Sequence, residues 1–297
     1  MPFRQLLATV YNQPHLLRPD KLEAIRRVVT DRAMGIDGAS LAVFQAASAE
    51  RQKTTVSRSV AVLPIVGTLF KRMDLMSESS GGTSVDRISK EFDRLMNDDA
   101  VGAILMDVDS PGGEAFGVPE FAAKVFAARG RKPVEAVVNA EMASGALWIG
   151  LAADKVSMTP SGWIGSLGVY MAHTDLSGMN EKLGAKVTYI SAGENKVEWT
   201  SDNPLSDDAM GYYQGLVDEM YGQFVGDVAK FRRSSQASVK ANYGQGRMLK
   251  ASQALAVGMI DRIETLDEAI ARLASGSKPR RSAARAAVEQ LALDAWK

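Results

Sequence analysis

Ser144 lies where a hydroxyl nucleophile could be positioned, within the segment NAEMASGALWIG. An apolar run typical of a buried strand precedes it, an apolar helical run follows it, and small residues flank it. A serine at a helix start is commonly an N-cap, and that interpretation applies here. The same position also presents a hydroxyl at the positive end of a helix, beside backbone amides that could stabilise an oxyanion. The residue types therefore allow acyl-transfer chemistry through Ser144.

A serine nucleophile needs a base, and two downstream residues are candidates. His173 follows the segment LGVYMA, and Lys196 lies in the turn AGENKVEW. A lysine acts as a base when burial lowers its pKa enough to leave the amine neutral. A histidine would need an orienting acid, for which Asp175 or Asp202 is the candidate. Spacing alone leaves both possibilities open.

Glycine-containing turns follow two further apolar runs. The segment DVDSPGGEAFG contains Gly112 and Gly113, and TPSGWIGSLGVYM contains Gly165 and Gly168. Glycines allow positive φ and let a ligand approach bare backbone amides, although a tight strand-to-helix turn needs them too. The pattern G-x-G-x-x-G is absent, which argues against a dinucleotide site.

Composition excludes several classes of site. The chain has no cysteine and only two histidines, His15 and His173, which excludes thiol catalysis, disulfides and a multi-histidine metal cage. We therefore expect no metal or cofactor. The 35 basic residues balance the 35 acidic ones, which argues against nucleic-acid binding. No apolar run approaches the roughly 18 to 20 residues that span a bilayer, so we expect no membrane span and a cytoplasmic protein.

The elements around these residues predict an α/β fold. Apolar runs predict strands at 60–67, 101–108, 134–139, 156–158, 167–172 and 186–191, and helical spacing predicts helices at 84–96, 118–128, 144–153 and 207–233. This alternation predicts stacked βαβ units and a mostly parallel sheet. We expect three parts: a helical N-terminal appendage (1–57), the main domain (58–274) and a flexible basic tail with a short helix (275–297).

Five segments in order carry a family resemblance: DSPGG, MASGALWIGLAADKV, GSLGVYM, YISAGENKVEW and QGRMLKASQALAVGMID. Together they closely resemble the signal peptide peptidase A family of serine proteases, over about residues 58–265. The phrases VAVLPIVGTL and AGENKVE are most similar to soluble members that tailed phages use as head-maturation proteases. The resemblance implies a Clp protease/crotonase-like fold, a Ser/Lys dyad and a homo-oligomer.

The resemblance also implies roles for individual residues. Ser144 matches the nucleophile and Lys196 the general base, and the amides of Gly113 and Gly145 match the oxyanion hole. The substrate groove would include Gly112, Gly165, Ser166 and Gly168. The expected substrates are scaffold, portal and major capsid proteins during phage head maturation, in the host cytoplasm or procapsid interior.

Other functions remain open from the sequence. The alternatives are a bacterial cytosolic peptide-degrading homologue, a Clp-like Ser-His-Asp peptidase, a crotonase-like acyl-CoA enzyme and a catalytically silent capsid-assembly protein. Aromatic residues and methionines along 210–231 exceed what one domain of this size is expected to bury, which independently favours a homo-oligomer.

Overall fold

The computed structural model describes residues 15–21, 23, 53–57, 59–72 and 82–276. In these ranges the strands are β1 (His15–Leu17), β2 (Thr55–Ser57), β3 (Val60–Val66), β4 (Leu69–Phe70), β5 (Thr83–Ser84), β6 (Ala103–Ser110), β7 (Gly112–Glu114), β8 (Val134–Ala143), β9 (Lys155–Met158), β10 (Trp163–Gly165), β11 (Met248–Lys250) and β12 (Arg262–Ile263). The helices are α1 (Val85–Asn97), α2 (Val118–Ala127), α3 (Gly145–Leu151), α4 (Ser177–Lys182), α5 (Asp207–Phe231), α6 (Gln236–Asn242), α7 (Ala251–Ala256) and α8 (Leu266–Gly276).

The larger sheet has the strand order β11-β10-β8-β6-β3-β2, and β9 pairs with both β8 and β12. Strands β3, β6 and β8 are mutually parallel, and β9 and β10 are parallel to β8. Parallel neighbours need crossover helices, and these cover the sheet and bury both faces of its central strands. The predicted stacked βαβ units are confirmed, and the described elements fit a Clp protease/crotonase-like fold.

Local sequence accounts for the central elements. Val85, Ile88, Phe92 and Leu95 recur at helical spacing and are all buried in α1, which Ser84 caps by accepting a hydrogen bond from the Arg87 amide. Pro64 lies in β3 beyond the part that pairs with β2, because β2 reaches only Val60–Val62. The proline therefore costs no hydrogen bond to β2.

Two hydrophobic clusters lie on opposite faces of the larger sheet. Helix α8 buries Ala269 and Leu273 against Val60, Leu105 and Val137 on one face. The other face carries the larger cluster, to which α1, α2, α3 and the second half of α5 contribute. Trp148 of α3 stacks on Phe224 of α5 with ring centroids 4.4 Å apart. Its indole N–H donates to Asp227 at 3.0 Å, so α3 is held against α5 by packing and by a hydrogen bond.

A smaller sheet, in the order β1-β7-β4-β5, differs from the sequence expectations. Residues 1–57 were expected to be helical, yet His15–Leu17 and Thr55–Ser57 are strands that pair with the rest of the chain. Residues 19–21 and 23 are helical, and the remaining helices expected within 1–57 lie outside the described residues. Residues 277–297 also lie outside them, so the three-part division stays a prediction.

Two predicted strands are wrong. Residues 186–191 form no strand and are exposed along their whole length, because no neighbouring strand pairs with them in the described chain. Residues 167–172 contribute a single bridge at Tyr170 instead of a strand, and β10 precedes them at Trp163–Gly165.

Candidate active site

Ser144 occupies the junction between β8 and α3 in an unusual backbone conformation, with φ 52° and ψ −113°. Its amide donates to the Gly165 carbonyl at 2.9 Å, and its carbonyl accepts from the Trp148 amide at 3.1 Å. A non-glycine residue in such a region costs about 1 to 3 kcal/mol and persists only where the surrounding structure imposes it. The fold thus holds one serine in a strained turn at the end of a buried strand.

The side chain of Ser144 is 1% exposed and makes no capping hydrogen bond to α3. Its hydroxyl donates instead to the Gly168 carbonyl at 3.4 Å. The N-cap interpretation of Ser144 is therefore wrong. The hydroxyl faces the segment that follows β10 and leaves the first amides of α3 without a side-chain cap.

Gly112 and Gly145 lie side by side at this junction. Gly112 has φ 89°, and a Cβ built on it would lie 2.9 Å from the Gly145 amide nitrogen. Gly113 packs on β4 instead, since its Cβ would lie 1.9 Å from the Leu69 carbonyl oxygen. The structure therefore brings Gly112 directly against the residue after Ser144. The assignment of Gly113 as an oxyanion donor stays a prediction.

The remaining groove candidates line the other side of Ser144. Gly165 and Gly168 accept hydrogen bonds from the amide and the hydroxyl of Ser144, respectively. Between them, Ser166 is buried with φ 54°, and its amide donates to the Arg247 carbonyl at 3.0 Å. Gly165, Ser166 and Gly168 thus lie next to Ser144 in the described structure.

Lys196 is not joined to Ser144. It lies in a turn with its side chain exposed, and among the described residues it has no side-chain hydrogen bond or ion pair. The preceding segment is equally open to solvent, and Ile190 is fully exposed. A single copy of the chain therefore leaves the predicted base in water.

His173 has other partners. Its Nε2 hydrogen-bonds the Thr200 carbonyl at 2.9 Å, and its ring lies 5.4 Å from the Trp199 ring. Within the described ranges no hydrogen bond joins it to Ser144.

Both candidate acids for a histidine triad are also occupied. Asp175 accepts from the Ser177 amide at 2.8 Å, and hydrogen bonds from the Ser177 side chain and amide hold the pKa of Asp175 below its usual value. Asp202 accepts from Asn180 and from the Tyr189 hydroxyl. The geometry of a Ser144–His173–Asp triad is not found in the described part of the chain.

Sequence reasoning missed two contributors to this site. Ser110 donates to the Gly67 carbonyl at 2.6 Å and accepts from the Gly112 amide at 3.2 Å, so it fixes the turn that carries Gly112. Strand β1 pairs with β7 next to the same turn. The Ser-Pro-Gly-Gly order was a signal for the role of Ser110. The sequence His-Leu-Leu of β1 is too short to show the alternation of a strand.

The described residues contain no group of three or more His, Asp or Glu side chains that could hold a metal ion. Across the same ranges, the helices lack the combination of length and apolar character that crossing a bilayer requires.

Three curated relatives illustrate what the chain is similar to. The "Head-tail preconnector protein GP5" of Enterobacteria phage P21 is 29% identical over 79% of this chain and 48% of its own length. The "Capsid assembly protease C" of Escherichia phage lambda is 29% identical over 76% of this chain and 51% of its own length. The "Putative protease MJ0651" of Methanocaldococcus jannaschii is 33% identical over 61% of this chain and 58% of its own length. The chain thus spans about half the length of the two phage relatives.

Solved structures give weaker similarity. A ClpP1 mutant from Listeria monocytogenes aligns with 77% of this chain and 99% of its own, at 14% identity and a TM-score of 0.44. A 1510-N membrane-bound stomatin-specific protease mutant aligns with 70% of this chain and 76% of its own, at 17% identity and a TM-score of 0.41.

The sequence profile of peptidase family S49 matches residues 127–279, just over half of the 297 residues. The match includes both Ser144 and Lys196. The resemblance to signal peptide peptidase A proteases is confirmed, and the chain belongs to peptidase family S49.

Proposed function

We propose that the chain is a serine endopeptidase with Ser144 as its nucleophile. The observation that carries the proposal is the strained conformation of Ser144 at the β8–α3 junction, beside Gly112 and Gly145. A sharp strand-to-helix turn lifts a serine hydroxyl out of the backbone and places it next to the amides that begin the helix. Membership of a peptidase family supports the same chemistry.

In the proposed mechanism, a neutral Lys196 takes the proton from Ser144, which attacks the scissile carbonyl carbon. The amides of Gly113 and Gly145 stabilise the tetrahedral oxyanion, and one such donor contributes about 3 to 4 kcal/mol. Lys196 then protonates the leaving amine, and water hydrolyses the acyl-enzyme with the same lysine as base. The chemistry uses no metal or cofactor.

The exposure of Lys196 adds a requirement to this mechanism. An amine in water stays protonated near neutral pH, whereas one buried away from water can lose its proton. We therefore propose that a protein surface covers Lys196 in the active form and that this surface belongs to a homo-oligomer.

Exposed apolar residues support the oligomer. Leu183, Val187 and Ile190 are exposed on the segment before Lys196, and Met210, Tyr212 and Leu216 are exposed on the first half of α5. Such a concentration of apolar surface marks interaction sites in soluble proteins. Sedimentation tests this directly: Ile190→Asp should dissociate the assembly at micromolar concentration, whereas Val56→Asp, at an exposed valine on β2, should not. A monomeric parent chain would contradict the proposal.

For substrates, we propose cleavage of scaffold, portal or capsid proteins during phage head maturation. Support comes from the names of the two phage relatives, a head-tail preconnector protein and a capsid assembly protease. The chain would then act in the host cytoplasm or inside the procapsid.

The proposed activity can be tested without knowing the natural substrate. The full chain is incubated with a peptide library made from a digested proteome, and new termini are identified by mass spectrometry. We expect internal cleavages that are absent with Ser144→Ala. Equal cleavage by both proteins would contradict the proposed function.

A further inference from the structure

Strand β1 lies in a slot with a backbone on each side. On one side it pairs antiparallel with β7, with Leu16 opposite Gly113 and Leu17 opposite Gly112. On the other side His15 bridges Tyr170: the His15 amide donates to the Tyr170 carbonyl at 2.9 Å, and the Tyr170 amide donates to the His15 carbonyl at 3.3 Å. An extended segment held by main-chain hydrogen bonds is the usual form of a peptide bound by β-strand addition.

This slot coincides with the candidate active site. A Cβ on Gly112 would lie 2.0 Å from the Leu16 carbonyl oxygen. A Cβ on Gly145 would lie 3.3 Å from the Leu16 Cβ and 3.4 Å from the Leu16 carbonyl oxygen. The main chain of Leu16 therefore lies against the two glycines that meet beside Ser144.

Strand β1 fills the slot. His15, Leu16 and Leu17 are 4%, 0% and 3% exposed, and Ser144 is 1% exposed. Two polypeptide backbones cannot occupy one strand position, so an incoming peptide could pair with β7 and Tyr170 here only after β1 leaves.

Arg18 anchors the C-terminal end of β1 by hydrogen bonds. Its amide donates to the Pro111 carbonyl at 3.2 Å, and its guanidinium donates to Glu141 at 2.5 Å and to both carboxylate oxygens of Asp20. Glu141 is in β8, three residues before Ser144. The contact therefore ties the N-terminal segment to the strand that carries the nucleophile.

We propose that His15–Leu17 is an intramolecular occupant of the peptide-binding slot, and that a peptide substrate enters only when this strand leaves; this inference rests on the proposed function of the Ser144 site. We assign β1 the role of an inhibitor and not of a substrate, because the Ser144 hydroxyl donates its hydrogen bond to the Gly168 carbonyl. The apparent dissociation constant for an external peptide is then the intrinsic constant divided by the fraction of chains whose slot is open.

Competition for the slot can be measured without catalysis. The full chain carrying Ser144→Ala is titrated against a fluorescein-labelled peptide of residues 12–21 (NQPHLLRPDK), and binding is followed by anisotropy. In this background we compare two variants. Leu16→Asp puts a charge into the slot, and Arg18→Ala removes the hydrogen bonds of the guanidinium but leaves the sequence of β1 intact. Lys21→Ala is the matched control, since Lys21 is an exposed cation three residues beyond Arg18.

We expect Leu16→Asp and Arg18→Ala to lower the dissociation constant by about tenfold or more relative to the Ser144→Ala parent, and Lys21→Ala to leave it unchanged. Hydrogen exchange at the Tyr170 amide should accelerate in the same two variants. Should Leu16→Asp unfold the chain, Arg18→Ala still tests the inference. Equal dissociation constants in all four proteins, or no binding to any, would overturn it.

Catalytic measurements separate this inference from the proposed function. In chains that retain Ser144, Leu16→Asp and Arg18→Ala should raise kcat/KM for short peptides mainly by lowering KM. If Leu16→Asp and Arg18→Ala leave peptide binding unchanged, the inference about β1 fails but Ser144 can still be the nucleophile. If cleavage survives Ser144→Ala, the assignment of Ser144 fails but β1 can still occupy the slot. A cut within 15–18 that needs Ser144 would make the strand a substrate and overturn its role as an inhibitor.

Discussion

Gly112 lies directly against Gly145, so that a Cβ on Gly112 would be 2.9 Å from the Gly145 amide nitrogen. Any side chain at position 112 would therefore press against the amide that follows Ser144. Ser110 holds the Gly112 turn in place, which couples the end of β6 to the start of α3.

Gly112→Ala should abolish peptide hydrolysis while the chain still folds. The added methyl group would meet both the Leu16 carbonyl and the Gly145 amide. Displacement of the Gly145 amide removes a proposed oxyanion donor whether or not β1 is in place, and the left-handed conformation costs about 1 to 2 kcal/mol for alanine. Gly130→Ala is a matched control, because Gly130 has φ 80° but nothing within 4 Å of its Cβ position. Gly112→Ala should lose more stability in a thermal melt than Gly130→Ala, because its methyl group also meets backbone atoms, and only Gly112→Ala should lose kcat/KM in the folded state. Equal activity of the two would mean that the contact with Gly145 is unimportant.

The strain at Ser144 gives a stability prediction. Ser144→Gly should be more stable than Ser144→Ala by about 1 kcal/mol, because glycine adopts φ 52° without a steric penalty. Neither change removes a helix cap, since the Ser144 side chain makes none. Denaturant midpoints of both inactive variants measure the difference. A less stable glycine variant would show that the backbone at residue 144 is not strained.

Changes to the predicted base should separate lysine from histidine. Lys196→Ala and Lys196→Arg should both lower kcat/KM as far as Ser144→Ala does, because members of a dyad act as a unit and a guanidinium cannot give up its proton. Lys186→Ala, at another exposed lysine on the same segment, should retain activity. His173→Ala should also retain most activity and lose about 1 kcal/mol of stability with its Thr200 hydrogen bond. A folded but inactive His173→Ala beside an active Lys196→Ala would favour a histidine triad.

Asp107 in β6 gives a prediction on pH. Burial raises its pKa to about 6, a hydrogen bond from Asn139 opposes the rise, and the charge of Asp109 adds to it. One of its carboxylate oxygens is buried without a hydrogen-bond partner in the described structure. Between about pH 4 and 6 the folded chain binds more protons than the unfolded chain, so this carboxyl makes stability fall as pH rises.

Asp107→Asn should therefore gain stability at pH 7, by up to about 3 kcal/mol, and should gain little at pH 4. Asp99→Asn, at an exposed aspartate, is the control and should change stability equally little at both values. Urea unfolding at the two pH values measures this. A gain from Asp107→Asn that is the same at pH 4 and pH 7 would contradict the assignment.

The sequence was sufficient for the elements that build the central layers. The apolar runs of β3, β6 and β8 and the helical spacing in α1 mark segments whose burial is decided locally. The site positions Ser144, Gly112, Gly145, Gly165 and Gly168 follow from the same reasoning together with the family resemblance. These residues lie together because the carboxyl ends of β6 and β8 meet at one edge of the sheet.

Three features could not be read from local patterns. Residues 186–191 have the alternation of a strand, but no partner strand lies beside them in the described chain, so they stay exposed. Strand β1 is only three residues long, and its pairing depends on β7, which lies nearly one hundred residues away. The backbone conformation of Ser144 is also invisible in sequence, since an N-cap serine and a strained serine occupy the same position before a helix.

Covalent labelling of the full chain with a fluorophosphonate tests the central claim most directly. Mass spectrometry of the digested adduct should locate the phosphonyl group on Ser144, and Ser144→Ala should remove the label. A label on another serine, or labelling that persists in Ser144→Ala, would contradict Ser144 as the nucleophile.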